Sequence, residues 1–133
     1  MSAEIAYVDT SAVVKLLVAE VETGALRQEL ARWPRRASSA LLGVELLRAV
    51  RRAGLPALQA VARRQLASIH LLRLDQAILD RAAALEPGSL RSLDALHLAS
   101  ALALGEQLGA LLTYDRRMIE GAMAIGIPAT SPG

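Results

Sequence analysis

The run IAYV, residues 5–8, is too short and too apolar for anything but a strand buried on both faces, and similar runs recur down the chain, each separated from the next by stretches of helical period. Strands are expected near residues 5–8, 36–38, 69–73, 110–113 and 127–129. Helices are expected near 11–19, 22–32, 40–53, 56–67, 75–86, 92–108 and 115–125. Gly54-Leu55-Pro56, Pro87-Gly88 and Gly126 punctuate these helices as stop signals. Alternation of this kind is satisfied by an α/β fold: a mostly parallel sheet of about five strands with helices on both faces. The 133 residues suffice for one domain, 1–133, with only the tail TSPG, 130–133, reading as loose.

Composition removes several classes of function. The absence of cysteine leaves no disulfide framework, thiolate metal site or thiol nucleophile, so any metal must be held by oxygen or imidazole. Two Tyr, one Trp and no Phe rule against an aromatic platform for stacking bases. The most apolar stretch, 93–104, is interrupted by His97 and Ser100 and is too short to span a bilayer. With no basic leader before the first strand, the expectation is a cytoplasmic protein without a membrane partner. Charge is unevenly spread: ten Arg against two acids lie between Arg27 and Arg73, while five basic residues and eleven acids occupy the rest. That asymmetry favours polyanions on one region and gathers acids elsewhere.

The acids have a map. In open α/β sheets the functional crevice lies at the carboxyl ends of the strands. Asp9 directly follows the first strand, and in ALLTYDRRM Asp115 follows another and begins a helix. Each alone would pass as a helix cap. Glu45 is harder to dismiss, because it falls inside the apolar arc of Leu41, Leu42, Leu46, Ala49 and Val50 and so needs a buried partner or a cation. In SLDALHLASALALG, Asp94 and His97 are the titratable side chains of an otherwise apolar helix, with Ser92 as its expected N-cap.

If these four carboxylates met, each pair about 5 Å apart would repel by roughly 3 kcal/mol at an effective dielectric of about 20. Six pairs approach roughly 20 kcal/mol, beyond the roughly 5–15 kcal/mol by which a domain is stable. Such a cluster must be partly protonated or hold a cation, and an all-oxygen set suits Mg²⁺ or Mn²⁺. The chemistry that calls for this arrangement is phosphodiester hydrolysis.

The segments YVDTSAVVKLL, SSALLGVELLRAV, LRSLDALHLASAL and LLTYDRRMIEGAMAIGI, in that order, resemble the four acidic motifs of PIN-domain nucleases, above all the toxin subunits of VapBC-type toxin-antitoxin pairs. The resemblance spans nearly the whole chain. It implies a three-layer α/β/α sandwich, Mg²⁺- or Mn²⁺-dependent cleavage of RNA, homodimerisation, and inhibition by a cognate VapB-type antitoxin whose tail reaches the active site. Position by position, Asp9, Glu45, Asp94 and Asp115 match the acidic quartet, and Thr10, Ser11, Ser39 and Thr113 match hydroxyl positions beside it. Asp9 and Asp94 are the expected direct metal ligands, with Glu45 and Asp115 acting directly or through water.

Arg48, one turn beyond Glu45, is a candidate to orient it or touch phosphate, and Arg91, Arg116 and Arg117 are candidate substrate contacts. His97 in an Ala/Leu-rich helix reads as a hydrogen-bonded core residue in preference to a general base. Two rival functions stand beside the nuclease. One is an Asp-nucleophile phosphohydrolase, disfavoured because Ser11 occupies the place where such enzymes carry a second Asp. The other is a catalytically degenerate α/β module kept for partner binding.

Overall fold

The computed structural model describes residues 2–133, with elements β1 (Ile5–Val8), α1 (Thr10–Leu17), α2 (Thr23–Ala31), β2 (Arg35–Ser39), α3 (Leu41–Ala53), α4 (Ala57–Ala67), β3 (His70–Leu72), α5 (Gln76–Ala84), α6 (Ser92–Leu102), β4 (Leu108–Leu112), α7 (Arg116–Ala124) and β5 (Ala129–Thr130). All strand pairings are parallel, in the order β3-β2-β1-β4-β5. The expected five-stranded parallel sheet with helices on both faces is therefore present. Strand order reverses at β1, so the crevice predicted for such sheets opens at the end of that strand.

Period-two alternation divides the core between the two faces. Ala6 and Val8 of β1, with Ala110 and Leu112 of β4, pack under α1 to α4 against Leu26, Leu30, Leu42 and Leu46. Tyr7 and Leu111 face the other way, toward Leu98 and Ala101 of α6 and Met118 and Ala122 of α7. Each fully buried leucine contributes roughly 1.5–3 kcal/mol of transfer free energy. Trp33 lies against β4 at Gly109, where an added Cβ would fall 2.0 Å from its ring, so a side chain there would displace the indole.

Three expectations need correction. The helix expected over 92–108 ends at Leu102, because Gly105 takes a left-handed turn (φ 58°) in a short 3₁₀ segment that leads into β4 at Leu108. Ser92 is not the N-cap of that helix: Arg91 holds the extended cap position, without a side-chain hydrogen bond, and Ser92 is the first helical residue. The tail is not loose. Thr130 belongs to β5, the Ser131 hydroxyl donates to the Thr113 carbonyl, and the Tyr114 hydroxyl donates to the Pro132 carbonyl at 2.6 Å.

Candidate functional site

Each acid arrives at the carboxyl edge of the sheet by a different route. The chain leaves β1 at Asp9, an extended residue (φ −92°, ψ 179°) whose carboxylate caps α1 by accepting from the Ala12 amide at 3.1 Å. It leaves β4 through Thr113 to Asp115, which caps α7 by accepting from the Arg117 amide at 2.9 Å. After β2, Ser39 accepts from the Leu41 amide at 3.1 Å and opens α3, which presents Glu45 in its second turn. Helix α6 precedes β4 in a parallel sheet and so begins at the same edge, with Asp94 in its first turn.

Hydroxyls and one imidazole knit these groups together. Ser11 donates to Asp9 Oδ1 at 2.7 Å, and the Thr113 hydroxyl donates to Asp9 Oδ2. Thr113 Oγ1 also accepts from the Asp115 amide at 3.0 Å, while Ser11 Oγ accepts from the Tyr114 amide at 2.8 Å. Asp9, 3% exposed, thus receives two hydroxyls and an amide but no cationic side chain. Burial pushes its carboxyl above the usual range, against the pull of Thr113, Ser11 and the Ala12 amide.

Glu45 has the buried partner its position required. Its Oε1 accepts from Thr10 Oγ1 at 2.8 Å and lies 2.7 Å from His97 Nε2, while His97 Nδ1 is 2.7 Å from the Tyr7 hydroxyl. A carboxylate only accepts, so Nε2–H donates to Glu45, while Nδ1 and the Tyr7 hydroxyl share the second hydrogen bond of the ring. Burial raises Glu45, but His97 and Thr10 outweigh it and hold the group below its ordinary value. His97 is the buried, hydrogen-bonded residue expected from its helix, with its bonds directed at the site. Tyr7 was not singled out by sequence; the available signal was a phenol inside an otherwise apolar strand, whose hydroxyl had to find a partner.

Asp94 differs in kind. Half-buried, it is raised by desolvation and by the charge of Asp115, with Arg117, His97 and Arg91 drawing it back. These influences bring Asp94, Asp115, Arg91 and Arg117 into one neighbourhood, and Arg117 Nε stands 4.0 Å from Asp115 Oδ1. Ser39 is buried but serves the start of α3 and no acid. Arg48 is exposed and, among the described residues, forms no ion pair; Arg116 is exposed beside Asp115.

The donor chemistry fits a hard dication: carboxylates gathered at one edge, two of them, Asp9 and Asp94, with affinity for protons raised by burial and, for Asp94, by the charge of Asp115. Among the described residues, however, no three His, Asp or Glu side chains stand close enough to ligate one ion together. The set therefore suits an ion bound directly by one or two carboxylates and by the others through water, the habit of Mg²⁺. Donors from Ser11 and Thr113 compensate the charge of Asp9, and those from Thr10 and His97 that of Glu45, while Asp94 still feels the charge of Asp115.

The PIN domain family model matches residues 6–122. The chain is 48% identical over 126 residues to Ribonuclease VapC46 of Mycobacterium tuberculosis, covering 95% of this chain and 96% of that protein. Two solved structures share the fold: VapC20 of Mycobacterium tuberculosis, described as a sarcin-ricin loop cleaving toxin (TM-score 0.71, 19% identity, 96% and 99% of the two chains), and VapBC2 from Rickettsia felis bound to a promoter DNA fragment (TM-score 0.76, 14% identity, 97% and 99%).

Proposed function

The chain belongs to the PIN-domain family, and from that premise we propose that it is an endoribonuclease, the toxin of a type II toxin-antitoxin pair, using Mg²⁺ or Mn²⁺ at Asp9, Glu45, Asp94 and Asp115. The observation that carries this reading is Asp9: a buried carboxylate at the switch point of the sheet that accepts three hydrogen bonds yet, among the described residues, has no cationic hydrogen-bond partner. A structural acid in such a place would be paired with a base or replaced by an amide.

A divalent ion held by these carboxylates would supply Lewis-acid charge stabilisation on the phosphoryl oxygens and make an attacking water more acidic. The protein supplies fixed geometry. Ser11 and Thr113 hold the Asp9 carboxylate from both oxygens, so its remaining lone pair has one direction. Thr10 and His97 hold Glu45 by Oε1, leaving Oε2 for a water or an ion. Arg91 and Arg117, beside Asp94, are placed to contact the RNA next to the scissile bond. Ser11, Thr113, Thr10 and His97 fix the Asp9 and Glu45 carboxylates before charge develops, which is where electrostatic preorganisation acts.

The reading also assigns partners. These are an RNA substrate, a second copy of the chain in a homodimer, and a cognate VapB-type antitoxin; a structural neighbour from Klebsiella pneumoniae is described as a toxin-antitoxin complex. No described helix is long and apolar enough to cross a membrane.

The deciding experiment assays Asp9→Asn and Asp94→Asn on RNA with Mg²⁺, with circular dichroism to establish folding. Loss of cleavage in both folded variants, and of wild-type cleavage on chelation, is expected. Undiminished cleavage by either variant removes that residue from the site. A wild type that neither cleaves RNA nor binds a divalent ion leaves the interaction-module rival in possession.

A further inference from the structure

Beside the carboxylates, between the loop that precedes α6 and the exposed face of α7, lies a cavity of about 240 Å³ that opens to solvent. Its wall includes Arg91, Asp94, Arg117 and Glu120, and its floor Leu90 and Gly121. Asp94 belongs at once to this cavity and to the acidic site, so a strand of RNA held at Asp94 has a neighbouring unit at the cavity mouth.

The lining argues for a particular guest. Two guanidiniums and two carboxylates cancel, so the cavity does not favour a bare phosphate. An apolar floor beneath polar walls suits a planar heterocycle with hydrogen-bonding edges, and arginine planes are surfaces on which unstacked bases lie. Glu120 forms no ion pair among the described residues, whereas Arg117 is engaged near Asp115. An ionised carboxylate accepts only, through two oxygens side by side. Guanine matches it, because its Watson–Crick edge offers two adjacent donors, N1–H and the N2 amino group. Adenine and cytosine each set a ring-nitrogen acceptor beside their amino donor, and uracil flanks its one N–H with two carbonyls, so each would turn a lone pair toward the carboxylate.

We infer that this cavity is the base-selecting subsite of the nuclease, taking a guanine next to the scissile bond, with Glu120 reading its Watson–Crick edge. The inference rests on the ribonuclease reading for the position of the bond, while guanine recognition itself depends only on the cavity. Gly121 lines the cavity without a side chain: a Cβ there would come within 2.9 Å of Leu98 Cδ1 and 3.0 Å of Leu90 Cδ2, so Gly121→Ala must shift one of these leucines and reshape the lining.

Two measurements on the full chain test this. The first titrates wild type, Glu120→Gln, Glu120→Ala and Gly121→Ala with 5′-GMP, AMP, CMP and UMP, followed by amide NMR shifts. The second compares cleavage of oligoribonucleotides that differ only in the base beside the bond. Wild type is expected to favour guanine by roughly 5- to 150-fold, the range for one bidentate base contact. Glu120→Ala should lose the preference while still cleaving, and Gly121→Ala should bind every nucleotide more weakly. Glu120→Gln, which offers one acceptor and one donor, should shift the preference away from guanine toward adenine and cytosine, an exchange that a merely structural Glu120 would not produce. Equal binding of GMP and AMP by wild type, or an unchanged preference in Glu120→Ala, overturns the subsite even where RNA is cut. Selective GMP binding that Glu120→Gln redirects, in a protein that cuts no RNA, upholds the subsite and removes the nuclease reading.

Discussion

Strand β1 has a carboxylate just outside each end, and the two could hardly be treated more differently. Glu4, at the amino end, is about half exposed and pairs with Arg35 Nη2 at 3.1 Å. Asp9, at the carboxyl end, is 3% exposed and has hydroxyls and an amide in place of a cation. Water could solvate Glu4 without help, and the protein gives it a counter-ion; Asp9 is cut off from water and receives none. Where the fold only needs solubility, charge is neutralised on the spot. Where the fold leaves charge uncompensated, a ligand is expected to complete it.

The contrast can be broken most directly at Asp9. Asp9→Asn should lower RNA cleavage by about 10²–10³-fold, the scale for loss of one preorganised electrostatic group; initial rates over a range of Mg²⁺ concentrations check this, and saturation at wild-type rate would refute it. Thr113→Val removes a buried donor to Asp9 and strands the Asp115 amide. It should weaken apparent Mg²⁺ affinity by about 10–100-fold and cost about 1–3 kcal/mol in urea unfolding.

The sign reverses for the stability of Asp9→Asn. A carboxyl held above its unfolded value binds more protons in the native state, so native stability falls as pH rises through the window from the unfolded value to the folded one. Removing that charge should therefore raise Tm in metal-free buffer at neutral pH, by roughly 2–6 °C if the gain is about 1 kcal/mol. The gain should vanish at a pH below the ordinary Asp value, and calorimetry at the two pH values decides it. At the other end of the strand, Glu4→Gln should change stability by less than about 1 kcal/mol and leave cleavage untouched. A large effect there would mean that the two ends are not the distinct environments described.

Much of this arrangement was legible in the chain because it is local. Asp9 after IAYV, Asp115 after ALLT and Glu45 within an apolar arc each announce themselves within one turn of helix or one strand. The ties between them do not. Thr113 reaches Asp9 across 104 residues, and His97 reaches Tyr7 across 90, so no periodicity could report them. The supposed continuation of α6 to residue 108 failed for a local reason: the apolar run crosses Gly105, and apolarity persists into β4 while the backbone turns. The tail misled because Pro and Gly describe backbone freedom, and its anchors, Thr113 and Tyr114, lie elsewhere in sequence. Placement of the acids was readable, as was the presence of hydroxyls beside them; which hydroxyl serves which acid, and the turn of His97 toward Glu45, needed coordinates.

The tie between Asp9 and Thr113 also governs timing. A ribosome releases Asp9 long before the hydroxyl that orients it, and Asp115 comes later still. Helices α1 to α4 can gather on β1 and β2 beforehand, yet β4 must still insert beside β1 before the carboxylates share one edge. A nascent chain therefore cannot assemble that edge until β4 has been synthesised.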